Sequence, residues 1–118
     1  MAQAAPAQVK EYWFEEGCFI TELSNTPEDP AVSIARARVP RGGTTRWHCV
    51  EATAERYVIL EGKGRAEIGD EPPRDVGPGD VVFIPPSCRQ RIASIGDTDL
   101  VFLAICTPRF VREAYRDL

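Results

Sequence analysis

Residues 42–62 read GGTTRWHCVEATAERYVILEG, and the fold of the chain turns on this stretch. Two glycines, Gly42 and Gly62, bound it. Between them lies the only histidine, His48, followed by Glu55 and then by the apolar run Tyr57 to Leu60. Strand segments on either side of a turn can bring one imidazole and one carboxylate to a common point. Such a pair either serves a ligand or fills the interior of a barrel.

Outward from this stretch the chain is heavily punctuated: Pro27, Pro30, Pro40, Gly64, Gly69, Pro72-Pro73, Gly77-Pro78-Gly79, Pro85-Pro86 and Gly96. Between the breakers the pattern predicts strands at Cys18–Leu23, Val32–Val39, Thr45–Val50, Glu55–Leu60, Gly64–Ile68, Val81–Ile84, Arg89–Ala93 and Leu100–Cys106. Many short strands with turn signals between them indicate an all-β antiparallel sandwich or barrel. Phe110, Val111, Ala114, Tyr115 and Leu118 fall at helical spacing after Pro108, which predicts one short C-terminal helix on the barrel wall. Residues 1–10 read as a flexible tail and 11–118 as a single barrel domain.

Composition narrows the function classes. The chain has 118 residues and a net charge of −4, with acids and bases interspersed. The absence of a basic stripe argues against nucleic acid and against an anionic membrane surface. No apolar run reaches the ~18 residues of a membrane span. MAQAAPAQ has neither the basic nor the apolar region of a secretory signal. Cys18, Cys49, Cys88 and Cys106 are scattered, without a C-x-x-C pair. Reduced thiols in a cytoplasmic protein are the expectation.

Val81 to Ile84 and Leu100 to Cys106 are apolar on both alternating faces, so the outer face needs a cover as well as the inner one. A partner subunit, making a homodimer, is one cover. The N-terminal segment with Tyr12, Trp13 and Phe14 is the other. Val32 to Val39 places Ser33, Ala35, Ala37 and Val39 on one face and Ile34, Arg36 and Arg38 on the other. If the small face points inward there is room for a ligand. If the arginine face does, Arg36 or Arg38 can pair a carboxylate, whereas arginines facing outward would be solvated or pair across strands.

The spacing resembles the cupin superfamily, a small β-barrel family with two short motifs. Gly42, His48, Val50, Glu55 and Gly62 occupy the first motif, and Gly79, Pro85, Ser87, Gln90 and Ser94 the second, with the short gap seen in small bacterial cupins. The resemblance implies a cupin-type jelly roll. Metal-binding members use two histidines and the glutamate of the first motif and the histidine of the second. Here those positions are His48, Val50, Glu55 and Gln90, so the implied ligand set shrinks to His48, Glu55 and Gln90. Ser87 stands at the usual glycine and Ser94 at the usual asparagine. One nitrogen and two oxygens suit Fe, Mn, Ni, Co or Zn without selecting among them.

The family frame implies a small polar or carboxylated metabolite in the barrel, with dioxygenase, isomerase or lyase-type chemistry in which Glu55 and His48 are catalytic. The alternative is a non-catalytic ligand-binding cupin with a weak or absent metal site. By alternation Tyr57 shares the face of Glu55, and Ile92 that of Gln90, so both join Val50 as candidate pocket walls, with Arg36 and Arg38 if they turn inward. Without a metal, His48 is a hydrogen-bonded core histidine or a general base, and an inward Glu55 needs His48 or an arginine as partner. Cys49 and Trp47 alternate away from His48, so no His–Cys nucleophilic dyad is expected.

Overall fold

A computed structural model describes residues 10–118. The elements in chain order are β1 (Tyr12–Phe14), β2 (Cys18–Ser24), β3 (Ser33–Val39), β4 (His48–Val50), β5 (Ala54–Glu61), β6 (Gly64–Ile68), β7 (Arg74–Val76), β8 (Val81–Ile84), β9 (Gln90–Ser94), β10 (Leu100–Thr107), a single 3-10 turn (Arg112–Ala114) and β11 (Tyr115–Asp117). They form two antiparallel sheets, one ordered β1-β2-β3-β10-β5-β8 and the other β11-β4-β9-β6-β7. This is the all-β jelly roll expected from the breaker rhythm; of the expected tail, residues 1–10, all but Lys10 lie outside the described residues.

Strand β10 organises the larger sheet, pairing with β3 on one side and β5 on the other. Its inward residues alternate as Leu100, Phe102, Ala104 and Cys106, with Phe102 opposite Ala37 and Ile59, and Cys106 opposite Ser33 and Glu55. Large side chains therefore fill one end of the sandwich: Val39, Ile59, Ile84, Ile92 and Leu100 are essentially inaccessible. Toward the other end the inward positions shrink to Ser33, Ala35 and Ala104, and packing gives way to open space. The small face of β3 thus points in. Its arginines point out, where Arg38 bonds Glu11 (2.7 Å) and Asp99 (2.8 Å).

Three strands were not legible from periodicity: β1, β7 and β11, each three residues long. The expected C-terminal helix is a correction. Only Arg112–Ala114 turns, and Tyr115–Asp117 adds to β4 as a strand, with Tyr115 opposite Val50 and Asp117 opposite His48. A ten-residue segment is too short for a stable helix of its own, and the unpaired edge of β4 offers it backbone partners instead.

The glycines that bound the opening stretch have different duties. Both adopt left-handed backbone, φ +78° at Gly42 and +81° at Gly62. A Cβ at Gly42 would meet nothing within 4 Å, whereas at Gly62 it would lie 2.5 Å from the carbonyl oxygen of Asp99. Gly42→Ala is expected to cost about 1–2 kcal/mol from conformation alone. Gly62→Ala adds a backbone clash and is expected to cost clearly more. Urea denaturation of both variants checks the ordering, and equal losses would count against it.

Candidate functional site

The site begins at a hairpin that the sequence reading passed over. Between β1 and β2 the chain turns through Glu15, Glu16 and Gly17, with Gly17 at φ +109° and its amide bonded to the carbonyl of Phe14 (3.0 Å). A Cβ on Gly17 would come within 3.4 Å of the backbone at Thr44 and Thr45, so the hairpin tip sits close against the segment that leads into β4. There the amide of Arg46 donates to the carbonyl of Glu16 (2.6 Å), and the carbonyl of Arg46 lies 2.6 Å from Nδ1 of His48. A carbonyl only accepts, so Nδ1 carries a proton and Nε2 is the ring's working atom. Nε2 lies 3.1 Å from a carboxyl oxygen of Glu16. Two polar groups of Glu16 and two of His48 are thus closed into one ring of hydrogen bonds through the backbone of Arg46.

Glu55, on β5, faces the same space. Its Oε1 accepts from the side-chain amide of Gln90 and its Oε2 from the thiol of Cys106 (3.6 Å). The amide oxygen of Gln90 accepts in turn from the hydroxyl of Tyr57 (2.5 Å), whose ring lies against Phe102 with centroids 4.3 Å apart. Burial pushes the Glu55 carboxyl up to about 7, helped by the negative charge of Glu16 and opposed by His48, Gln90 and Cys106. Burial also pushes Glu16 up to about 7, opposed by a hydrogen bond from the Cys18 thiol. Both thiols are themselves raised by burial, so they stay protonated donors.

These groups open into a cavity that is continuous with solvent. Glu16, His48 and Glu55 form its polar floor, and Val50, Ala104 and Ile20 are among its apolar walls. Phe14, Phe110 and Tyr115 add an aromatic side: Phe14 packs edge-on against Phe110 (6.2 Å) and Tyr115 (5.1 Å), and Tyr115 stacks on the His48 ring at 5.4 Å and 24°.

Of the residues singled out from sequence, His48, Glu55 and Val50 line this cavity. Gln90 and Tyr57 lie behind Glu55 as its hydrogen-bonded support, and Ile92 is in the packed core. Arg36 and Arg38 are on the outer face, directed at Glu11. Cys49 has Glu51, Arg116 and Cys88 for neighbours rather than the cavity. Trp47 lies between the guanidinium groups of Arg89 and Arg91, each 4.5 Å from its ring centroid, on the outer layer as alternation requires. Ser87 adopts φ +62°, which accounts for glycine at that motif position in relatives, and its hydroxyl accepts from the amide of Ala52 (3.0 Å).

The donor set His48, Glu55 and Gln90 is not assembled as a metal centre. Both ends of the Gln90 amide are engaged, its NH2 on Glu55 and its oxygen under the Tyr57 hydroxyl. No group of three His, Cys, Asp or Glu side chains among the described residues is placed to hold an ion. With the Gln90 amide engaged at both ends, the arrangement does not fit a divalent metal. Sequence reasoning missed Glu16, Tyr115 and Cys106. Alternation along β10 does reach Cys106 from Phe102, but nothing in the sequence carries a strand phase around the Glu15-Glu16-Gly17 turn.

Comparison with known proteins agrees with the geometry of the barrel. A Cupin domain profile matches residues 35–106. An uncharacterised protein of Methanocaldococcus jannaschii is 33% identical over 108 residues, covering 90% of this chain and 86% of the relative. A glucose-6-phosphate isomerase of Pyrococcus furiosus is 40% identical over 63 residues, covering 50% of this chain and 33% of the relative, so this chain spans only a third of that enzyme. The solved structure of Pac13, a nucleoside dehydratase, superposes with a TM-score of 0.81 at 17% identity, covering 100% of this chain and 92% of that one.

Glu16 and Glu55 make stability depend on pH, and Glu22, whose carboxyl is also raised by burial, adds in the same direction. The unfolded chain releases the protons of Glu16 and Glu55 near 4.5 and the folded one near 7, so the folded state binds more protons in between, and stability falls as pH rises from about 5 to about 8. The depressed carboxyls of Glu11, Asp75 and Asp99 act below this window and do not mask it. Urea denaturation is expected to show a loss on the order of 5 kcal/mol over that range, and Glu55→Gln is expected to remove about half of the slope. A wild-type profile flat between those limits would contradict it.

Proposed function

The chain belongs to the cupin family, and from that premise we propose that it is a small-molecule enzyme of the isomerase or lyase type, moving protons with Glu16, His48 and Glu55. The observation that carries this reading is the convergence of one imidazole and two carboxyls on a single cavity, with the imidazole held in one tautomer. Of the reaction types the resemblance implies, proton transfer needs no group beyond these three.

The roles follow from position. The Nδ1–H bond to the Arg46 carbonyl commits Nε2 of His48 to exchange protons on the cavity side, with Glu16 as the group that takes up or returns the proton across 3.1 Å. Glu55 is held by Gln90 and Cys106 and can deliver a proton to a substrate oxygen as it becomes a hydroxyl or leaves. Two carboxyls that titrate near 7 and repel one another lose their protons one after the other, so near neutral pH one serves as acid while the other serves as base. The partial match to a glucose-6-phosphate isomerase is in keeping with proton-transfer chemistry.

The reading includes a homodimer. Val81 and Phe83 on β8 are 60% and 53% exposed and Leu60 on β5 is 41% exposed, leaving an apolar outer face that a second copy would cover. Light scattering at micromolar concentration checks this, and a particle of 13.1 kDa would remove it.

Turnover is tested by incubating the protein with a fractionated small-metabolite extract in heavy water and following deuterium uptake and product masses. The wild-type protein is expected to convert or exchange at least one component. His48→Ala and Glu16→Gln, with folding verified by circular dichroism, are expected to lower the rate by about 100-fold or more. An extract left unchanged by the wild-type protein would favour the non-catalytic binder, and full activity in both variants would remove the assigned roles.

A further inference from the structure

We propose that the cavity takes a small ring compound bearing an amine or hydroxyl donor, and that it discriminates against carboxylates and phosphates. The inference rests on the reading above only in placing the ligand in the same cavity. It narrows the small polar or carboxylated metabolite to a class without an anionic group.

The first observation is charge. The cavity is lined by Glu16, Glu22 and Glu55, and among the described residues neither lysine nor arginine lines it. The arginines of β3 that would have paired a carboxylate are on the outer face, bound to Glu11 and Asp99. The guanidinium of Arg112 does approach the aromatic wall, 5.7 Å from the Phe14 centroid and 5.1 Å from that of Tyr115, but it is bound to Glu15 and is not part of the lining. An anionic ligand would enter a low-dielectric space facing three acids with no lysine or arginine of the described residues to meet it. A ligand that donates hydrogen bonds meets acceptors on the floor, and a protonated amine gains further from the faces of Phe14, Phe110 and Tyr12.

The second observation is independent of charge. One side of the cavity is aromatic, with Tyr12, Phe14, Phe110 and Tyr115 among its lining residues. Tyr115 is 4% exposed and its ring is held between His48 and Phe14, so this side is set by packing rather than by solvent. A ring laid against it buries apolar area, and a hydroxyl or amine on that ring meets the acceptors of the floor.

The test uses four probes on one skeleton: benzylamine, benzyl alcohol, benzoate and phenyl phosphate, titrated into the full chain by NMR. Benzylamine and benzyl alcohol are expected to bind, perturbing the ring signals of Tyr115 and His48. Benzoate and phenyl phosphate are expected to bind at least about tenfold more weakly. Glu22→Gln keeps the shape of the lining and removes one acid outside the proton-exchanging groups, so it should fold. It is expected to weaken benzylamine by roughly 2- to 10-fold relative to benzyl alcohol and to narrow the gap to benzoate. Benzoate or phenyl phosphate binding as tightly as benzylamine would overturn the proposal. So would failure of all four probes, or a Glu22→Gln variant with all four affinities unchanged. If the neutral and cationic probes bind but the extract shows no turnover, the enzyme reading falls and this one stands. If turnover is found and the probe order is reversed, only this one falls.

Discussion

A carboxyl group inside a barrel must keep its proton, find donors or meet a cation, because the bare ion loses its hydration. Two such groups, Glu16 and Glu55, share one cavity here, and most of what surrounds them serves that constraint. Each titrates near 7 instead of 4.5, a penalty on the charged form on the order of 3 kcal/mol apiece. Glu16 is answered by Nε2 of His48 and the Cys18 thiol, and Glu55 by the Gln90 amide and the Cys106 thiol. The supports have supports of their own: Arg46 fixes the imidazole, and Tyr57 fixes the amide. Each layer of hydrogen bonds is built from groups that themselves need no counter-ion.

The fold makes such a site tolerable by separating it from the packing that holds the sandwich together. Strand β10 is bordered on both sides, and its Leu100 and Phe102 anchor one end of the core while Ala104 and Cys106 open the other. The same strand therefore supplies stability at one end and space at the other. Ser33 marks the transition on β3: it is buried, and its hydroxyl accepts from the amide of Phe110, tying an aromatic wall residue to the sheet. Burying acids in the open end costs stability that the closed end must supply, a distribution common to functional sites.

Much of the barrel was legible because it rests on local chemistry. Turn glycines and prolines, alternation along Val32 to Val39, and the motif frame around His48 and Glu55 each read correctly from neighbours in the chain. What failed were features decided at a distance. Tyr115 has the spacing of a helix and becomes a strand because the edge of β4 is open to it. Gln90 occupies a ligand position in the motif, yet its two polar ends are taken by Glu55 and Tyr57, residues of another strand in the other sheet. Glu16 could not be found by alternation, since its direction depends on how a glycine turn docks against residues 44–46.

The departures from the family frame become consistent once Glu16 is counted. A cavity with two carboxyls on its floor and Glu22 in its lining needs hydrogen-bond donors around it and few further acceptors. Gln90 supplies a donor to Glu55 that stays neutral at every pH of interest. Val50 contributes neither a lone pair nor a charge, and as a cavity wall it keeps the floor apolar and the local dielectric low. That dryness is the first cause of the raised carboxyls, so the residue that looks like a loss in the motif helps set the protonation of the acids beside it. On the proposed reading Val50, Gln90 and Glu16 act together, with a proton-exchanging cluster where the motif's ligand positions would otherwise gather. On this account Val50→His would not simply restore a missing donor. It would place a second imidazole beside Glu16 and His48, favour the ionised carboxyls, and alter the site's acid–base balance.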